Sequence, residues 1–65
     1  MKVQSVLIPK LFPLKDAIKW VEDHYHFYKV DETERFYRFR QFNPIPNAKY
    51  ITKKLKNGIE LVIMV

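Results

Sequence analysis

Residues 36–42 place Phe36, Tyr37, Phe39 and Phe42 around Arg38 and Arg40. In an extended strand alternate side chains share a face. Arg38 and Arg40 then line up with Phe36 and Phe42, while Tyr37 and Phe39 point the other way. Cations beside aromatic rings on a sheet hold single-stranded nucleic acid: bases stack on the rings and phosphates are neutralised. Lys49, Lys53 and Lys54 would lengthen that basic surface along a phosphate backbone. The same pattern has a structural explanation, and ordinary strand alternation favours it. Tyr37 and Phe39 would fill the core, and the arginines would pair with Asp31, Glu32 or Glu34. The segment also lacks the glycine-bearing aromatic motif of the common RNA-recognition sheet.

Other reactive side chains point more weakly to chemistry. Asp31, Glu32 and Glu34 are clustered carboxylates of the kind that acid–base catalysis uses. Acids gathered in a turn are more often solvated, and a chain this short offers little room for a cleft. His24 and His26 lie near Asp23 and Asp31, but a spacing of two does not put both imidazoles on one helical face. A cap and a surface residue is the stronger reading, because a charged His24 suits a helix carboxyl end. Ser5 has no evident base, and the lone Gly58 belongs to a turn, not a phosphate-cradling loop. With no nucleophile–base or metal constellation, the expectation is a non-enzymatic chain without cofactor, metal or small-molecule substrate.

The scaffold must be small. The chain has 65 residues and no cysteine, so a single domain over 1–65 is expected, with no disulfide to supplement a thin core. Apolar residues make up 48% and aromatics 15%, which marks a globular chain rather than a disordered one. The formal net charge of +5 favours acidic partners, nucleic acid among them, and also serves solubility. No apolar run approaches a membrane span, and the N-terminus lacks a signal-peptide pattern. An intracellular or virion location is the matching expectation.

The β-branched run 3–8 predicts a first strand, stopped at Pro9. Pro13 suits the first turn of a helix. Leu14, Ala17, Ile18, Val21 and Tyr25 keep helical spacing. Trp20 and His24 border that stripe, and Trp20 reads as core, with a cost of about 3–5 kcal/mol for Trp20→Ala. Residues 26–30 form a short extended lead into an acidic turn at 31–34. The strand over 35–42 follows and reads as the central one. Residues 43–47 are a loop with two prolines. Asn57-Gly58 predicts a two-residue type I′ hairpin between strands at 49–55 and 59–65. That turn would put Tyr50 and Thr52 beside Ile63 and Leu61, and Ile51 and Leu55 on the face of Val62 and Met64.

The expected fold class is α+β: one amphipathic helix packed on a mainly antiparallel sheet of three or four strands, in the order β-α-β-β-β. One helix covers one face of a sheet. The uncovered face is the candidate interface, with Phe36, Arg38, Arg40, Phe42, Lys49, Lys53 and Lys54 as candidate contacts.

Several stretches together carry a resemblance: 3–7 (VQSVL), Ala17 with Lys19-Trp20, 29–34 (KVDETE), 37–41 (YRFRQ), and Thr52-Lys53-Lys54-Leu55 ahead of Asn57-Gly58-Ile59. The chain resembles, over nearly its whole length, a small domain of tailed-phage and prophage proteins near head-morphogenesis genes and of large DNA viruses. It departs at Pro13, Tyr25, Ile51 and Lys56, where that family tends to carry a capping residue, a helix-ending glycine, an arginine and a glycine. Those departures bear on caps and turns more than on fold. The resemblance implies a viral setting and nothing more. The leading expectation is an accessory domain acting by protein–protein contact, with itself or a virion protein, and the alternative is a sequence-tolerant nucleic-acid binder.

Overall fold

The computed structural model describes residues 2–65. The elements run β1 (Lys2–Pro9), α1 (Leu14–His24), β2 (Lys29–Glu32), β3 (Phe36–Arg40), β4 (Tyr50–Lys54) and β5 (Glu60–Met64). Five strands form one wholly antiparallel sheet in the order β2-β3-β1-β5-β4. The fold is therefore mainly β with one helix. It replaces the expected three- or four-stranded α+β arrangement with order β-α-β-β-β.

The extra strand is β2. Its sequence, Lys-Val-Asp-Glu, is largely exposed, because an edge strand of four residues shows no alternation of apolar and polar positions. Asp31 and Glu32 are thus in a strand rather than a turn. The reversal falls one step later, where the Thr33 N–H donates to the Phe36 carbonyl at 2.8 Å. The Thr33 hydroxyl donates to the same carbonyl and accepts from the Phe36 N–H, so Thr33 closes the hairpin through its side chain.

The central strand is β1, not β3. Its apolar run pairs with β3 on one side and β5 on the other. β3 also stops at Arg40, two residues short of the sequence expectation. Helix α1 starts after Pro13, which supplies no side-chain cap, and ends where the Tyr25 N–H donates to the Val21 carbonyl at 2.6 Å.

The core lies between α1 and one sheet face. It comprises Val6, Ile8, Ala17, Val21, Phe39, Ile59 and Leu61. Phe39 is fully buried and meets the Phe27 ring edge-on, with centroids 5.0 Å apart. Trp20 is only half-buried at the rim of this core. Its ring stacks on His24 at 4.1 Å, and His24 Nδ1–H donates to the Trp20 carbonyl at 2.7 Å.

The β4–β5 hairpin is real, but its turn is not type I′. Gly58 N–H donates to the Leu55 carbonyl and Leu55 N–H to the Ile59 carbonyl. The loop therefore holds three residues, with Gly58 at φ +87°. Asn57 keeps a negative φ and accepts from the Ile59 N–H. This is the three-residue hairpin with glycine in the left-handed position. One added loop residue moves the pairing by one, which exchanges the two faces of β4. Ile51 pairs with Ile63 and Lys53 with Leu61, while Tyr50 pairs with Met64 and Thr52 with Val62.

Candidate functional site

The sheet face opposite α1 is built in rows across the strands. One row runs Lys54, Glu60, Leu7, Arg38, Asp31; the next runs Thr52, Val62, Ser5, Arg40, Lys29. Tyr50, Met64 and Lys2 lie beyond the second row, and Phe36 with Pro9 beyond the first. Leu7, Val62, Met64, Tyr50 and Phe36 are half-buried. Around this apolar middle stand Lys2, Lys29, Arg38, Arg40 and Lys54 against two acids, Asp31 and Glu60.

The two arginines are held in place. Arg40 Nε lies 2.8 Å from Asp31 Oδ2, and Lys29 Nζ lies 3.8 Å from Asp31 Oδ1. Arg38 Nη2 donates to Gln4 Oε1 at 3.1 Å. Gln4 and the neighbouring Ser5 are both buried, although they lie on the face that no helix covers. The cause is a bulge: β1 pairs Val3 with Ile63 but Ser5 with Val62, so Gln4 is an extra residue. Its side chain donates to the Phe42 carbonyl at 2.7 Å and accepts from the Ser5 hydroxyl at 2.8 Å. Its carbonyl accepts from the Gln41 N–H at 2.7 Å. This polar knot thus fixes Arg38 and the turn out of β3, while Asp31 holds Arg40.

The candidate contact residues divide. Phe36, Arg38 and Arg40 share the uncovered face, and Lys54 joins them three strands away. Lys53 lies on the opposite face with Leu61, and Lys49 precedes β4. Phe42 has left β3, and with Lys2, Asn43, Ile45 and Met64 it lines a depression of about 370 Å³ at the sheet end. The loop above it is held by Tyr28 Oη–H on Asn43 Oδ1 and by the Ile45 N–H on Tyr50 Oη at 2.8 Å. Ile45, Pro46, Asn47 and Ala48 make a type II turn, with Asn47 at φ +67° and Ala48 N–H on the Ile45 carbonyl.

The arginine–acid pairing weighed from sequence is therefore present for Arg40 with Asp31. Glu32 takes a different partner, Lys10, at 2.6 Å. Glu22, Tyr25, His26 and Phe27 line a second concavity of about 240 Å³. Among the described residues, no three His, Asp or Glu are placed to share a metal, and no helix is long and apolar enough to cross a membrane. Gln4 and Ser5 were missed as organising residues. No signal for them stood in the sequence alone: Val3, Val6 and Ile8 all pack on the core, which period two forbids in a regular strand, and only the fold shows it.

Searched against family models, curated proteins and solved structures, the chain matches none.

Proposed function

We propose that the chain is a non-enzymatic contact domain whose uncovered sheet face seats on a protein with an apolar centre and an acidic rim. The observation that carries this is the layout of that face: Leu7, Val62 and Met64 half-buried in the middle, with five cations and two acids around them. An apolar patch with arginines beside it is how protein interfaces are commonly built. The resemblance to small phage and viral domains adds a virion or its assembly as the setting. The test uses a purified partner captured by the intact chain and reconstituted with it. Leu7→Asp with Val62→Asp should weaken that complex about 100-fold, as expected for two central contacts, with the fold retained by circular dichroism. Lys15→Ala with Lys19→Ala, on the exposed side of α1, should leave it unchanged. Equal affinity for both pairs of variants ends the proposal.

A second reading is favoured by one observation, the surplus of cations on the same face. Arg38, Arg40 and Lys29 would then track a phosphate backbone, with Phe36 as the stacking ring. Labelled single- and double-stranded oligonucleotides titrated with the protein should show micromolar affinity. That affinity should fall about 40-fold for duplex and about 20-fold for single strands between 50 and 200 mM salt if roughly three phosphates are neutralised. Arg38→Ala with Arg40→Ala should weaken it further. No binding at low salt, or binding that ignores salt, ends this reading. The aliphatic centre, Leu7 and Val62, offers no ring for stacking and favours the protein reading.

A further inference from the structure

We propose that the chain assembles with further copies of itself, head to tail, through the two edges of its sheet. β4 of one copy would pair in parallel with β2 of the next. This concerns the sheet edges and does not rest on the reading of the uncovered face.

Among the described residues, β2 and β4 each have a neighbour on one side only. Their free backbone groups can be assigned. Leu55 N–H to Ile59 and Val65 N–H to Lys49 set the closely bonded pairs of the β4 ladder. Residues 51 and 53 thus turn their backbone to β5, and Tyr50, Thr52 and Lys54 turn theirs outward. Thr33 N–H to Phe36 does the same for β2, leaving Val30 and Glu32 facing out. β2 and β4 both run in the direction of β1, because each is separated from it by one antiparallel neighbour. A copy moved sideways, with its helix on the same side, therefore brings β2 beside β4 in parallel.

Charge selects this pairing over the others. Residues 49–58 contain Lys49, Lys53, Lys54 and Lys56 and no acid, while residues 29–35 carry Asp31, Glu32 and Glu34 against Lys29 and Arg35. Two β4 edges would set lysines against lysines. Two β2 edges with Val30 opposite Val30 would set Lys29 against Asp31, which Lys29 and Arg40 of its own chain already hold. Unlike edges carry the larger difference in charge. Lysines on an edge strand commonly guard against pairing, and here they guard against one partner while matching another.

One register satisfies every feature together. With Thr52 opposite Asp31, Thr52 would donate to the Val30 carbonyl and accept from the Glu32 N–H, both free. Ile51 then lies beside Val30. These are exposed β-branched residues, 50% and 37% accessible, on the helix side of opposite edges. Lys53 lies beside Glu32, whose partner within its own chain is Lys10. A shift by two residues would set Ile51 against Glu32 or Lys53 against Val30. A contact of this kind between unlike edges does not close on itself, so chains of copies result rather than a dimer.

The test is sedimentation of the full chain over a concentration series at low and high salt. Open-ended association that weakens with salt is expected. Glu32→Lys alone and Lys53→Glu alone, both at exposed positions, should each lower the association constant about tenfold, since attraction becomes repulsion. The two changes in one chain should restore it to within about threefold, and Thr52→Pro should abolish it by removing a ladder donor. Three outcomes overturn the proposal: a monomer at millimolar concentration and low salt, a closed dimer, or association indifferent to the single reversals. A monomer whose β4 binds an acidic synthetic peptide also overturns it, by giving the edge to a foreign strand.

Discussion

Phe39→Ala leaves most molecules unfolded at 25 °C. Phe39 is completely buried, paired across the ladders with Val6 and Val30, and its ring receives Phe27 edge-on. Truncating a buried phenylalanine costs about 3–5 kcal/mol, and the lost aromatic pair lies within that figure. A core in a chain of this length supplies about that much stability in total. Trp20→Ala, expected from sequence to be as damaging, should cost clearly less, because Trp20 sits half-exposed at the rim and stacks on His24. Urea unfolding followed by far-ultraviolet circular dichroism reads both. Equal losses, or a Phe39→Ala loss under about 1 kcal/mol, would mean that the two layers do not meet where Phe39 lies.

The contrast between these two aromatics marks how far sequence carries. The helix was readable because Ala17, Ile18 and Val21 repeat at its period. β3 was readable because Tyr37 and Phe39 alternate with arginines. β5 was a continuous apolar run beside a glycine turn. β2 was not readable. Its four residues, Lys-Val-Asp-Glu, are largely exposed on both faces, so they carry no apolar alternation. The hairpin turn was located, but its type was misjudged. Asn-Gly fits both a two-residue loop with two positive φ angles and a three-residue loop with glycine alone in that region. The backbone chose the second, and that one-residue difference moved Ile51 and Lys53 to the helix side. Of the candidate site, Phe36, Arg38 and Arg40 share the face that strand alternation assigned them. Phe42 and the lysines depended on where strands stop and on the turn type, which local pattern does not determine.

Gln4→Leu should be nearly as damaging as Phe39→Ala, although it makes the buried surface more apolar. Gln4 is 1% exposed, and its amide serves three partners: the Phe42 carbonyl, the Ser5 hydroxyl and Arg38. Leucine fills a similar volume but pairs with none of them. A buried donor or acceptor left unpaired costs about 1–3 kcal/mol, and a charged one more. Leaving the hydroxyl, the carbonyl and a guanidinium edge together should therefore cost roughly 3 kcal/mol after partial relaxation. The distinctive consequence is coupling. In the original chain Arg38→Ala removes one partner of Gln4 and costs some stability. In the Gln4→Leu chain it removes a charge that has already lost its acceptor, so it should be neutral or stabilising. A double-mutant cycle on urea midpoints reads this as an interaction of about 1–2 kcal/mol. Ser5→Ala should show the same change of sign. Additive losses would instead mean that Gln4 acts through the bulge backbone alone. Arg38 would then be aimed by its strand rather than by the knot beneath it, and the contact face would lose the feature that holds Arg38 in position before a partner arrives.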